Sequence, residues 1–428
     1  MTTRHDEQHS ERSLWSRRQM LKAAGGAMAG GLASLAAPGI VRAQSQSGPL
    51  KLGIVFAKQG VWTEQSKQLV DGVTLALKHK GNQILGRDIE LLWYDEANPQ
   101  GAQQNISKLM YQDKVFAVVG GSNSGTSLAM SSVAARAQIP YLCPGAAAAA
   151  LTGSDCNPYI FRTLTTTMVA SRALAPACLD IGKNWYYLAA NYAYGQDIYN
   201  SMSGLLKQAG GKELGYDKAP LGTSDYSSFI LKIRQAKPDV VMLGLPGGDL
   251  STFLKQWADM GMKGKIPVAC PIIGNIDLWS VGAEAATGYY GMPWSFSNPQ
   301  NPQVEKEFAA EYAKMHPGQA PCADKVWLGW YTTRVLLEAV EKAQSVDANK
   351  IVKSLETTRI NDGAYDAGYR SWDHQMLHPC MVFKVKDKIT DKWDWLDAVA
   401  QEPKQPSWEN LNALFGTEQE IGCKMPPH

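Results

Sequence analysis

The stretch with most capacity for chemistry in this chain carries almost no side chains. Residues 118–150, VVGGSNSGTSLAMSSVAARAQIPYLCPGAAAAA, end an apolar run in Gly120-Gly121-Ser122-Asn123-Ser124, cross an amphipathic segment, and end the next run in Pro144-Gly145-Ala146. Glycine, serine and alanine after a strand let a partner approach the backbone closely and meet its N–H groups. Plain tight turns ask for the same residues, but two such turns in one unit shift the balance toward binding. Bond-breaking chemistry finds little support. Ser124 has no recognisable nucleophile elbow, and seven scattered histidines give it no evident base. Gly120, Gly121 and Gly125 do not form a GxGxxG fingerprint, and no acid sits where a ribose would need one. Asp373, His374 and His378 have an HxxxH look, but Pro379 follows, and the seven cysteines form no CxxC. No catalytic residue, metal or cofactor is expected.

The elements that must position these turns alternate in type. Residues 50–56 read as a strand, 64–79 as a helix, 89–94 as a strand, 99–111 as a helix and 116–119 as a strand. A second series follows, with strands at 185–190, 215–219 and 240–245 and helices near 196–209 and 227–235. This alternation predicts an α/β fold whose parallel sheets are covered by helices on both faces. The two series also resemble each other: 116–144 and 239–271 each run strand, small-residue turn, helix, then Ile-Pro through Cys-Pro. Two Rossmann-like lobes follow, each aiming small-residue turns from the carboxyl ends of its strands, where open α/β sheets bind ligands. Trp327, Trp330 and Tyr331 have near-helical spacing and read as core.

The amino end reads differently. Ser16-Arg17-Arg18-Gln19-Met20-Leu21-Lys22 precedes a Gly/Ala-rich stretch at 23–41, and Val41-Arg42-Ala43 has the form of a cleavage site, so residues 1–43 resemble a twin-arginine export signal. A membrane anchor would need a more strongly apolar run. Removing residues 1–43 takes six of 42 Lys and Arg and three of 40 Asp and Glu, leaving a near-neutral chain of 385 residues, enough for two domains. That balance points to neither nucleic acid nor an anionic surface as partner.

In their order and spacing, several short marks together resemble the type I periplasmic solute-binding proteins of ABC transporters, in particular the branched-chain amino acid and amide-binding group. They are Leu52-Gly53-Ile54-Val55, Val118-Val119-Gly120-Gly121, Ile139-Pro140 through Ala146, Tyr159-Ile160-Phe161-Arg162-Thr163, Tyr192-Ala193-Tyr194-Gly195 and Lys237-Pro238-Asp239-Val240-Val241. The resemblance covers about residues 50–400 and implies two lobes joined by three crossovers, near 162–166, 292–295 and 369–373, closing on a ligand by hinge motion. The lobes would then be residues 50–163 with 294–370 and residues 164–293 with 371–428.

The same resemblance places site residues. Ser124, with Ser122 and Asn123 beside it, falls where the family holds a carboxylate or amide. Ala146, Ala147 and Ala148 fall where it offers backbone groups and a hydroxyl, here missing. Tyr194 matches a tyrosine reaching in from the second lobe, Trp62 an aromatic lid, and Lys325 a residue against the ligand's tail. Near Pro271 and Ile272 the family has an acid for an α-ammonium, and this chain has none from Cys270 to Ile273. A small organic acid or amide, aromatic ones included, is therefore expected over an α-amino acid, because an unpaired buried ammonium is costly. The implied role is a monomeric periplasmic receptor serving an ABC permease, with an exported enzyme or a sensor-coupled binding protein as alternatives. In an oxidising compartment disulfides are expected. Cys380 with Cys423, stapling the tail to the second lobe, is the first choice and Cys143 with Cys156 the next.

Overall fold

The computed structural model describes residues 48–363 and 365–426. The export signal and its cleavage after Ala43 lie outside the described residues. Among those described, no helix is long and apolar enough to cross a membrane.

The first sheet is built from β1 (Leu50–Phe56), β2 (Gln83–Ile84), β3 (Arg87–Asp95), β4 (Ala117–Gly120), β5 (Tyr141–Cys143) and β6 (Ile160–Arg162), in the order β2-β3-β1-β4-β5-β6. All its pairs are parallel except the β2–β3 hairpin. β1 and β4 are buried throughout or nearly so, as expected of strands covered on both faces. The second sheet takes β7 (Asn184–Ala190), β8 (Lys212–Ala219), β9 (Val240–Gly244), β10 (Val268–Cys270) and β11 (Tyr289–Met292). Of the later strands, β12 (Ile360–Asn361), β13 (Asp366–Tyr369) and β14 (Met376–Leu377) form a small sheet of their own. β15 (Cys380–Val385) and β16 (Leu396–Glu402) join the second sheet antiparallel, giving the order β16-β15-β11-β10-β9-β7-β8. The chain thus leaves the first sheet after β6, leaves the second after β11, and returns to it at β15.

The helices that shape the region between the sheets are α1 (Thr63–His79), α2 (Pro99–Ser107), α3 (Ser124–Ala137), α4 (Thr167–Ile181), α5 (Ala193–Gln208), α6 (Ser227–Ala236), α7 (Gly247–Asp259), α8 (Asn275–Val281), α9 (Gln303–Met315), α10 (Asp324–Ala343) and α11 (Ala348–Thr357). The repeat seen in the sequence is real in space: β4-α3-β5 and β9-α7-β10 are the same parallel unit in the two sheets. α10 lies along α1 backbone to backbone. A Cβ on Gly72 would meet Val326 O at 2.0 Å, and one on Gly329 would meet Leu69 O at 2.1 Å, so only glycine fits at either crossing point. Trp327, Trp330 and Tyr331 on α10 are buried core, as their spacing suggested.

Between the sheets runs a buried polar seam. Arg162 Nε donates to Gln375 Oε1 at 2.6 Å and its other nitrogens to Ala148 O and Thr152 Oγ1; Thr163 Oγ1 pairs with Tyr369 OH at 2.8 Å. His374 and His378 belong to this seam, bonded to Ile160 O at 3.0 Å and Thr163 O at 3.0 Å. Among the described residues no cluster of three or more His, Cys, Asp or Glu could hold a metal.

The tail corrects the expected disulfides. Cys423 pairs with Cys156, across 267 residues of chain, while Cys380 and Cys143 are buried free thiols. Cys380 is buried at the start of β15, between β16 and β11, whereas α12 (Trp408–Leu414) and α13 (Glu418–Ile421) carry the chain end back to the loop between β5 and β6. The tail is therefore stapled to the first-sheet side. It also touches α4, where Arg172 donates to Glu420 at 2.9 Å and to Leu414 O at 3.1 Å.

Candidate functional site

The carboxyl ends of the two sheets face one another across a cleft of about 390 Å³ of empty space. Each lobe contributes its small-residue turns. From the first come Ser122, Asn123, Ser124, Gly145 and Ala147, with Trp62 and Gln65 at the start of α1. From the second come Pro246, Gly247, Tyr192, Tyr194 and the segment from Ile272 to Gly274, with Asp277 on α8. Lys325, in the first turn of α10, completes the wall together with Leu164. Trp62 stands edge-on to Tyr192, ring centroids 6.3 Å apart, giving the cleft an aromatic side.

The turn after β4 is organised by a residue the sequence did not single out. Glu96, 2% exposed, accepts from Ser122 N–H and Ser122 Oγ at 2.7 Å each, from Asn123 N–H at 3.3 Å and Asn123 Nδ2 at 3.1 Å, and from the Thr126 hydroxyl. Burial pushes its carboxyl up to about 7, against the pull of those hydrogen bonds. Asn123 caps α3 through Thr126 N–H. Gly121, at φ +94°, has no room for a side chain, since a Cβ there would come within 2.3 Å of Ser127 Oγ and 2.5 Å of Tyr141 OH. Much of the glycine-serine signature thus serves packing and internal hydrogen bonds. Ser124 differs: its oxygen accepts from Ala148 N–H at 3.3 Å, and its proton is left for the cleft.

On the facing wall Tyr194 OH donates to Ile272 O at 3.0 Å. Asp277 supplies the acid that the strand end lacks. One helical turn downstream brings its carboxylate into the cleft, where both oxygens accept from Gln65 Nε2, at 2.9 and 2.8 Å, and Oδ2 also from Gly274 N–H at 3.2 Å. Burial pushes it up to about 6, with Gln65 and the Lys325 charge opposing. Lys325 is 4% exposed and its Nζ lies 3.2 Å from Asp324 Oδ2, yet among the described residues it makes no hydrogen bond, and Asp324 Oδ2 has none either. Asp324 spends its other oxygen on Asn275 N–H at 2.8 Å, and Asn275 Oδ1 accepts from Asp324 N–H at 3.2 Å. With Ala149 N–H donating to Asp197 at 2.7 Å, these pairs close the cleft from one lobe to the other.

Residues 49–390 match the periplasmic binding protein family. The chain belongs to that family. A Leu/Ile/Val-binding protein homolog of Brucella melitensis is 27% identical over 332 residues, covering 72% of this chain and 77% of its own. A periplasmic binding protein from Burkholderia mallei superposes with a TM-score of 0.79 at 25% identity, over 88% of this chain and 98% of that one. A solute-binding protein of an ABC transporter from Rhodopseudomonas palustris, in complex with 3,4-dihydroxybenzoic acid, gives 0.75 at 23% identity, over 82% and 97%. The type I fold expected from the sequence is the fold these proteins share.

In this periplasmic binding protein Trp62, Ser122, Asn123, Ser124, Ala147, Tyr194, Ile272 and Lys325 line the cleft. Ala146, Ala148 and Pro271 do not; Ala148 turns its N–H to Ser124 and its carbonyl to Arg162. Gln65, Tyr192 and Asp277 line it and were not named as site residues from the sequence, while Pro246 and Gly247 line it at the second lobe's small-residue turn. The Pro-Gly-Gly turn that repeats the first lobe's pattern thus faces the cleft, as the repeat implied. Asp277 and Glu96 carried no local signal, since helix geometry and burial bring each to its place.

Proposed function

We propose that this periplasmic binding protein captures a small organic acid or amide between its lobes and presents it to the permease of an ABC importer. The observation that carries the reading is Lys325. An ammonium buried in the first turn of a helix is opposed both by desolvation and by the positive end of the helix dipole. Keeping an ammonium there, with the Asp324 carboxylate 3.2 Å away and no hydrogen bond among the described residues, suits a site that receives an acceptor from outside. The aromatic side formed by Trp62 and Tyr192 suits a flat ligand, and the Rhodopseudomonas neighbour, with 3,4-dihydroxybenzoic acid bound, offers a precedent for the class. An α-amino acid fits less well. Its ammonium would have to take Asp277 from Gln65 and Gly274, which already satisfy it.

In this reading residues 50–163 with 294–370 and residues 164–293 with 371–428 are the two bodies that move about the seam, the end of the second being tied to the first by the Cys156–Cys423 bridge. The chain works as a monomer, exported by the twin-arginine route and cut after Ala43. Calorimetric titration of the mature protein with benzoate, hydroxybenzoates, aliphatic acids and their amides, beside leucine, isoleucine and valine, tests the class. Acids or amides should bind and the three amino acids should not; leucine binding more tightly than every acid and amide would overturn it.

A further inference from the structure

After β16, a strand of the second sheet, the chain is seated on residues of the first body. Arg359 lies over the Trp408 ring at 3.8 Å, Arg370 donates to Asn412 Oδ1 at 3.0 Å and to Gly416 O at 2.8 Å, and Cys156 holds Cys423. α13 sits close against this body, since a Cβ on Gly153 would come within 3.0 Å of Ile421 O. Leu411 and Phe415 are fully buried, so apolar packing anchors the tail beside the covalent bridge. Toward the second body it touches Arg172 on α4, through Leu414 O and Glu420, and His378, beside the Phe415 ring. Both lie near the crossovers, where rotation about a hinge displaces atoms least.

One short segment, residues 403–407, joins β16 to this seat. Glu402 ends β16 and Trp408 opens α12. Fully extended, the chain between them spans at most about 20 Å. Lys404 and Pro406 share the wall of a cavity with Pro293 and Trp294 of the crossover at 292–295, so the segment runs beside the hinge. Among the described residues its hydrogen bonds run only into the tail, from Ser407 N–H and Asn410 Nδ2 to Gln405 O and from Leu411 N–H and Asn410 N–H to Ser407, which leaves it room to straighten. We propose that residues 403–407 are a strap, a fourth connection between the bodies, which lets the lobes part until it is taut and so keeps the ligand-free protein from opening fully. The Cys156–Cys423 bridge is the fastener of its far end. This rests on the two-body reading above.

The test changes the strap's length and leaves its anchors alone. Gly-Ser-Gly-Ser inserted between the exposed Lys404 and Gln405 adds reach, and a surface linker tolerates such an insertion. Without ligand, the inserted protein should show a larger radius of gyration in small-angle scattering. Hydrogen exchange should be several-fold faster at Asn275 N–H, which bonds to Asp324 across the cleft, far along the chain from the tail. The amides of Leu411 and Phe415 should stay as protected as in the wild type, showing the tail still seated. A second variant, Cys156→Ser with Cys423→Ser and Trp408→Ala, frees the far end instead and should open the lobes likewise. A radius and an Asn275 exchange rate unchanged in both variants, with Asn275 exchanging faster than the β4 amides throughout, would overturn the strap while leaving two moving bodies. Asn275 as slow as β4 in every protein would overturn the two-body reading with it.

Discussion

Several cleft side chains are committed to partners within the protein, and this sorts their expected effects. Ser122 and Asn123 serve Glu96, and Tyr194 serves Ile272 O, so their removal disturbs the walls of the cleft. The Ser124 hydroxyl accepts from Ala148 N–H and has its own proton for the cleft. Ser124→Ala should cost about 1 kcal/mol of binding, the scale of an ordinary hydrogen bond, read as roughly a 5-fold rise in Kd with the thermal midpoint nearly unchanged. The buried acids make a second prediction. Burial raises Glu96 and Glu305 to about 7 and Asp277 to about 6, above their unfolded values, so the folded chain holds these protons more tightly than the unfolded one. Their contribution to stability is complete below about pH 4.5 and is lost as pH rises through 6 and 7. Thermal melts should show a higher midpoint at pH 5.5 than at pH 8, and Glu305→Gln should flatten that slope.

At the scale of elements, the cleft depends on how closely helices and turns approach. The two βαβ units present their turns to each other because parallel strands feeding helices put every strand's carboxyl end on one edge of its sheet. α8 turns Asp277 inward from the second lobe, and α10, packed along α1, carries Lys325 toward it from the first. The register of α10 against α1 is set where Gly72 faces Val326 and Gly329 faces Leu69. Gly72→Ala would drive a methyl into backbone that cannot yield cheaply, so it should destabilise the fold by about 1–3 kcal/mol, as overpacking does. Because the shift would move Lys325 with its helix, ligand affinity should fall in the same variant; a Gly72→Ala protein with unchanged melting and affinity would show that the helices part easily.

For the whole molecule, closure of the lobes and the stapled tail set how the cleft works. The lobes meet through Gln65 with Asp277, Asn275 with Asp324, and Ala149 with Asp197, each a hydrogen bond to a carboxylate across the cleft. Ligand should therefore make the particle more compact in small-angle scattering with its secondary structure unchanged, and Gln65→Ala should leave it more open at the same ligand concentration. The Cys156–Cys423 bridge closes a loop of most of the chain. Its loss by Cys423→Ser should lower stability by about 2–5 kcal/mol in denaturant titration, and peptide mapping without reduction should recover the 156–423 cross-link.

Strand, helix and turn were legible because periodicity and composition are local. β1 and α1 follow an apolar run and a helical repeat, and the paired Gly-rich turns advertise where two sheets open. The resemblance to periplasmic binding proteins supplied what no local pattern could, the crossing of the chain between lobes. The sequence also named much of the first-lobe wall, from Trp62 through Ser124 to Ala147. It missed Glu96, Asp277 and Gln65, and paired Cys423 with the wrong partner, for one physical reason. Each of these residues acquires its role from a contact with a distant part of the chain: 26 residues separate Ser122 from Glu96, 212 separate Gln65 from Asp277, and 267 separate Cys156 from Cys423. Spacing along the chain carries no trace of such contacts. A buried carboxylate that fills an anion site looks, in sequence, like any acid after a strand, and only packing turns it toward the turn it occupies.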